Sequence, residues 1–347
     1  MPSTLSSRCL PIALSVLSCL TGLSQSAIAQ APGRAGADAW SSVVAAAQKE
    51  GKVVVYGNMQ APVAARIRAD FEKAYPGMSV EYTRLASGPM IAKLNQERSG
   101  GVDGAEVAIL TDRGWLEERL KDGSLASLAG PNAGTWPRAS MLSGSIPVLS
   151  LETMAIVYNP NMVKTPINGY ADLFRPELKG KITTEELVAP VIVAWYEWVE
   201  KTMGTNYFTR LAELQPGIYG SATAGVQSVA AGEFAVATVI NSGLAVPLAK
   251  QGLPLRVVNP TPAFGFAFVG GVVKWAKRPN AAQLFMDYLM SVRGQTAWNG
   301  QGDSASPLPN IPGSLDARSI APFDPLPYTD DVVKAYTVKW NALFGKK

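Results

Sequence analysis

The chain has 347 residues, with 31 lysines and arginines against 27 aspartates and glutamates, and it contains no histidine. Without imidazole, the Ser-His-Asp and Cys-His catalytic arrangements, histidine proton shuttles and almost every zinc site are excluded. The near-balanced charge, with no basic run or basic helix face, argues against nucleic acid as a partner. Neither a G-x-S-x-G elbow nor a G-x-x-x-x-G-K-[ST] phosphate loop occurs. The adjacent acid pairs Glu117-Glu118, Glu185-Glu186 and Asp330-Asp331 read as solvated charge, with Glu185 held apart as a candidate for the site described below.

From the N-terminus onward, Arg8, an apolar run over residues 9–20 and Ala27-Ile28-Ala29 before Gln30 have the three-part layout of a secretory signal, with cleavage expected after Ala29. The run is shorter than the roughly 20 apolar residues of a membrane span. A soluble periplasmic protein is therefore expected. Both cysteines, Cys9 and Cys19, fall inside this leader, so the exported chain would carry no thiol, which suits an oxidising compartment.

Residues 52–56 (Lys52-Val53-Val54-Val55-Tyr56) predict a strand. Residues 61–75 predict a helix with Val63, Ile67 and Phe71 on one face, stopped by Pro76-Gly77. Strand 78–85, helix 89–98 and strand 105–110 follow. This β-α-β-α-β order implies a parallel sheet covered by helices. A second series consists of strands 154–158 and 180–183, helix 190–203, strand 217–219, helix 225–231, strand 234–240 and helix 244–251. The fold class expected is α/β with two lobes.

Six segments then carry a family resemblance: KVVVYGN (52–58), DFEKAYPGMSVEY (70–82), MAIVYNPNMV (154–163), YADLFRPELKGKI (170–182), GVQSVAAGEFAVA (225–237) and NAAQLFMDYLMSVRGQ (280–295). In this order they resemble the extracellular solute-binding proteins of ABC importers, nearest to the ferric-iron-binding branch and its organic-anion relatives. The resemblance runs from about Trp40 to Trp298. It implies a type 2 periplasmic-binding fold with lobe one over 38–150 plus 265–310 and lobe two over 151–264. Residues 311–347 would pack across the lobes, and the chain would cross between them near 149–153 and 264–270. It further implies a monomer without catalytic activity or cofactor, which holds a small solute in the interlobe cleft and delivers it to a membrane permease.

The iron-binding relatives carry two adjacent tyrosines at the end of the strand matching 235–240. Here Asn241-Ser242 hold those places, no tyrosine lies between Tyr219 and Tyr288, and no two tyrosines are adjacent. Hard Fe(III) would find neither a phenolate pair nor imidazole, so the fold and transport role carry over but the metal does not. Two alternatives stay open. One is ferric binding through non-tyrosine or synergistic-anion ligands; the other is an exported enzyme on the same fold, relying on Glu, Asp, Lys or Tyr.

Ligands of α/β sheets sit beyond the carboxyl ends of the strands, where loops enter helix N-termini. The residues expected there are Asn58, Gln60, Ser87, Gly88, Asp112, Thr184, Glu185, Ser221, Thr223, Asn241 and Ser242. Mostly hydroxyl and amide donors, they favour a small anionic or zwitterionic organic solute of carboxylate or phospho type, although each could do no more than cap its helix. Asp112 and Glu185 could instead pair with an amino group, so plain anion and zwitterion both remain. Trp195, Tyr196 and Trp198 read mainly as lobe core, and Trp115 and Phe264 as candidates to stack on the ligand.

Overall fold

The structure, a computed structural model, describes residues 34–345. The expected leader, with Cys9 and Cys19, lies outside the described residues. Eight strands follow one another across the sheet in the order Ser79–Arg84, Lys52–Gly57, Val107–Leu110, Ala263–Val273, Ile146–Tyr158, Val236–Asn241, Ile182–Glu185 and Gly217–Tyr219. The first three are mutually parallel, as are the last three. Between these trios stand two long strands that run antiparallel to each other and to their neighbours.

Each trio is the sheet of one α/β lobe. Val107, Ala108, Ile109 and Leu110 are all fully buried, the unbroken apolar run of a parallel strand covered on both faces. The helix Ala61–Ala74 starts with Pro62 in its first turn and buries Val63, Ala64, Ile67 and Phe71, the spacing that one apolar stripe requires. In the second lobe the helix Pro190–Met203 buries Trp195 and Tyr196. The helix Asp330–Phe344 lies over it, with Trp340 against Tyr196 at a centroid distance of 6.4 Å and Lys339 on Glu200 at 2.6 Å. Before that helix, Ile320–Pro322 pairs with the long strand Ala263–Val273, and Asp324 reaches Arg113 of the first lobe at 2.9 Å.

Two local expectations need correction. The strand expected over 154–158 begins eight residues earlier, at Ile146. Ser150, Glu152 and Thr153 interrupt the apolar pattern of that stretch, yet all three are buried and partnered. Ser150 Oγ donates to Asn299 Oδ1 at 2.6 Å, and Thr153 Oγ1 donates to Asn259 Oδ1 at 2.5 Å. In addition, three helices start earlier than expected, at Ser87, Ala222 and Ser242. Small polar residues read as loop are in fact their first turns.

Where the long strands cross, Gly265 faces Thr153, and a Cβ there would meet Glu152 O at 2.3 Å. Only glycine permits that approach. The Glu152 carboxyl accepts from Gly243 N–H at 3.0 Å and lies near the ion pair of half-buried Arg66 with fully buried Asp303, whose atoms are 2.6 Å apart. Burial pushes the Glu152 carboxyl up to about 8, and Asp303 adds to the rise, while the Gly243 N–H and Arg66 oppose it.

The folded protein therefore keeps the Glu152 proton over a range where the unfolded chain gives it up. Stability from this group is full below the unfolded value of about 4.5 and is lost as pH rises to about 8. Glu185 acts with the same sign. Urea midpoints measured between about pH 5 and 8 should fall in the parent protein, and the fall should be shallower in Glu152→Gln. Equal slopes would contradict this assignment.

Candidate functional site

A cleft of about 670 Å³ opens between the lobes. Its first-lobe wall presents Asn58, Gln60, Arg84, Ser87, Thr111 and Asp112, and the second-lobe wall presents Glu185, the 188–192 turn and Asn241. The long strands supply Met154, Phe266 and Phe268 as the floor, and the chain before the last helix brings Phe323 and Tyr328 to the rim.

Asn58 follows the strand Lys52–Gly57 and gathers the first wall. Its Nδ2 lies 3.2 Å from Ser87 Oγ and 2.9 Å from Thr111 Oγ1, bonds that join the loops after three parallel strands. Helix ends surround this point. The residues before the helices Ala61–Ala74, Ser87–Gly100, Pro190–Met203 and Ser242–Lys250 are Gln60, Ala86, Ala189 and Asn241. All four line the cleft and none makes a side-chain cap bond, but the Glu152 carboxyl already takes the Gly243 N–H at the last of these starts, which leaves three open. A helix start leaves backbone N–H groups without helical partners and carries partial positive charge. Asp112 differs, since its Oδ1 accepts from Gly114 N at 3.0 Å and caps the helix Arg113–Lys121. Arg84 is the one cation among the lining residues, and its Nε donates to Met59 O at 3.2 Å.

Glu185 ends its strand with 4% of its surface exposed. The Ala222 N–H bonds to its carboxyl, while Oε2 is buried without a hydrogen-bond partner. Burial pushes this carboxyl up to about 8, with the Ala222 bond opposing.

The approach to Asn241 is irregular. Ala155 pairs with Ile240 but Val157 pairs with Ala237, so the strand Val236–Asn241 contains an extra residue. Within this bulge Val239 has φ 63°, a left-handed conformation that is strained for a β-branched residue. Tyr219 OH holds it by donating to Thr238 O and Val239 O. A bulge changes which side chains face each way, and Asn241 emerges in the cleft with its amide bonded to Glu152.

Of the eleven expected residues, the structure gathers Asn58, Gln60, Ser87, Asp112, Glu185 and Asn241 around the cleft and leaves out the other five. Thr184 is fully buried, with its hydroxyl on Tyr196 OH at 2.8 Å and Thr238 Oγ1 at 2.9 Å. It neighbours Glu185 on a strand, so it points to the opposite face. Ser221 caps the helix Ala222–Ala231 by accepting from Ala224 N, and Thr223 lies exposed in that helix's first turn. The Glu185 carboxyl already occupies this helix start. Gly88 is exposed within the first turn of its helix. Ser242 is fully buried, its Oγ donating to Asp303 O at 2.5 Å and accepting from Thr153 N at 3.2 Å.

The aromatic lining also differs from expectation. Trp115 packs edge-on to Trp275 inside lobe one, and Phe264 packs between Trp198 and Phe323; neither lines the cleft. Phe266, Phe268, Phe323 and Tyr328 do. The alternation Phe266-x-Phe268 was available as a signal, since residues two apart on a strand share a face. Arg84, at the end of a predicted strand, was available in the same way. Phe323 and Tyr328 carried no local signal.

The family model for bacterial extracellular solute-binding proteins matches residues 52–302. An uncharacterized protein of Haemophilus influenzae is 29% identical over 163 residues, which are 45% of this chain and 46% of that protein. The chain thus spans about half the length of that relative. The substrate binding protein of an ABC transporter from Agrobacterium tumefaciens superposes with a TM-score of 0.70 at 20% identity, covering 86% of this chain and 97% of its own. The periplasmic binding protein AfuA from Actinobacillus pleuropneumoniae, with fructose-6-phosphate bound, gives 0.59 at 20% identity over 86% and 100% of the two chains. Iron-bound HitA from Pseudomonas aeruginosa gives 0.59 at 19% identity over 85% and 99%. These structural likenesses speak for the fold, and the family match speaks for descent: the chain belongs to the bacterial extracellular solute-binding proteins.

Proposed function

We propose that this protein is the periplasmic substrate-binding component of an ABC importer, exported by a cleaved leader and working as a monomer. Between its lobes it captures a small organic anion or zwitterion of carboxylate or phospho type. The observation that carries this reading is the convergence of three uncapped helix starts, after Gln60, Ala86 and Ala189, on one cleft beside Arg84. Amide N–H groups and helix dipoles at such ends favour an oxyanion. A cavity of about 670 Å³ suits a small organic molecule. AfuA, of the same fold, carries a sugar phosphate, whereas HitA carries iron. For this chain a ferric site is disfavoured, because Tyr328 is the one tyrosine lining the cleft and its OH donates to Glu197 at 2.9 Å.

A thermal-shift screen of small acids, phosphonates and sugar phosphates tests the reading. A solute at 100 times its Kd adds about 2.7 kcal/mol, and no stabilisation by any anion would count against the proposal. With a saturating solute the lobes should close about residues 149–153 and 264–270, and small-angle scattering should register compaction. An unchanged radius of gyration would refute closure.

Adding ferric citrate should give no purple tyrosinate band, and its appearance would restore the iron reading. The residues Asn241 and Ser242 should separate in their effects. Asn241→Ala should weaken solute binding by roughly 1.5–3 kcal/mol, the worth of a hydrogen bond to a charged group. Ser242→Ala should leave affinity alone and lower stability by roughly 1–3 kcal/mol, because Thr153 N–H and Asp303 O lose their buried partner. Calorimetry and urea unfolding measure the two, and a Ser242→Ala variant that binds worse but unfolds normally would reverse the assignment.

A further inference from the structure

A site built only for an anion leaves Glu185 no role except as a protonated donor, since an ionised carboxylate would repel the solute. Yet Glu185 is part of the cleft wall, with 4% of its surface exposed and Oε2 buried without a partner. The hydrogen bond its carboxyl does receive comes from the Ala222 N–H. The groups around it do not neutralise it. Tyr196, on the helix Pro190–Met203, donates to the Glu185 backbone carbonyl at 2.9 Å, and Tyr219 lies on the adjoining strand. Burial raises both tyrosines, so they stay neutral. Glu186 is its exposed neighbour in sequence. Asp112 and Arg84 stand among the residues of the opposite wall.

The opposite wall repeats the pattern. With Nδ2 directed at Ser87 and Thr111, Asn58 Oδ1 is buried and unpartnered. Both buried polar atoms left open on the cleft walls are thus acceptors, and acceptors call for donors on the solute. The rings of Phe266, Phe268, Phe323 and Tyr328 complete the lining. Aromatic faces attract cations.

We infer that the solute is a zwitterion whose ammonium group donates to Glu185 Oε2 while its anionic group rests on the helix N-termini beside Arg84. This rests on the anion-site reading and narrows it to amino-bearing acids. In the empty cleft burial keeps Glu185 protonated up to about pH 8. An arriving ammonium supplies the missing positive partner, so the ionised form becomes favourable. The Glu185 proton then leaves to solvent, and the ammonium keeps its own. Binding below about pH 8 releases a proton and tightens as pH rises. A neutral Glu185 donating to an anion would behave oppositely, with uptake or retention of the proton and looser binding at higher pH.

The test is calorimetry on the mature protein and on Glu185→Gln with matched pairs: 4-aminobutanoate and butanoate, glutamate and glutarate, 2-aminoethylphosphonate and ethylphosphonate, with butylamine as the bare amine. Titration in buffers of different ionisation heat counts the proton. Expected are binding of at least one amino acid or aminophosphonate, a des-amino partner weaker by between about tenfold and a hundredfold, proton release, and affinity that rises from about pH 6 to 8. Glu185→Gln should lose affinity by a similar factor and lose the pH dependence. Des-amino partners that bind as tightly, affinity that falls with pH, an indifferent Glu185→Gln, or silence across the whole panel would each overturn the inference. The first of these leaves the anion site standing. Butylamine binding as tightly as 4-aminobutanoate would remove the anion site itself. Should Glu185→Gln fail to fold by its thermal midpoint, the pH dependence of the parent protein decides.

Discussion

Two lobes joined by long strands face one constraint: the strand that crosses between them must carry its backbone and its polar side chains through the interior without leaving them unpaired. Ile146–Tyr158 does this with Ser150, Glu152 and Thr153, each buried and each answered from a distant part of the chain. The answering groups come from distant parts of the chain: Asn299, Asn259, Gly243 and the Arg66–Asp303 pair. A buried polar group with a partner costs little, whereas an orphaned one costs about 1–3 kcal/mol. The crossing therefore selects one register and one lobe arrangement, in a way that an apolar strand of the same length would not.

The cleft inherits its geometry from that crossing. Asn241-Ser242-Gly243 follows directly from it, with one task per residue. Asn241 faces the cleft, and its amide also touches Glu152. Ser242 ties the crossing strand to Asp303. Gly243 has no side chain because a Cβ there would lie 2.9 Å from the Glu152 carboxylate, and its N–H bonds to that same group. The strained Val239 just upstream supplies the change of parity that lets Asn241 point outward. Residues adjacent in sequence thus divide into one that faces the cleft and two that hold the crossing strand.

Much of the fold was legible from the amino-acid order, because helical and strand periods are local properties. Val63, Ile67 and Phe71 mark their helix, and the valine run at 53–55 marks its strand. All six family segments read from the sequence fall inside the span that the family model matches. What stayed hidden was whatever depends on partners far away. The strand over 146–153 went unread because nothing local says that Ser150 meets Asn299. Ser221, Thr223 and Ser242 lie off the cleft because a hydroxyl at a helix start has the same local sequence whether that start faces a ligand or another side chain, and Thr184 because its side chain points to the face opposite Glu185. Ser221 and Ser87 illustrate the ambiguity: one caps a helix whose end Glu185 fills, and the other lines the open site.

The same contrast explains why the charge of the chain said so little about its ligand. Net charge is set by surface lysines and arginines, whereas the cleft is lined by one arginine, two acids, four aromatic rings and helix ends. On the reading proposed above, recognition there relies on backbone dipoles, which composition does not count, and on carboxyls whose ionisation depends on what is bound. An acid such as Glu185, buried without a cation, does not have a fixed charge that the solute must fit. Its charge is part of the binding equilibrium, so the preference of the site depends on how well a solute replaces the water and the missing counter-charge around one oxygen atom.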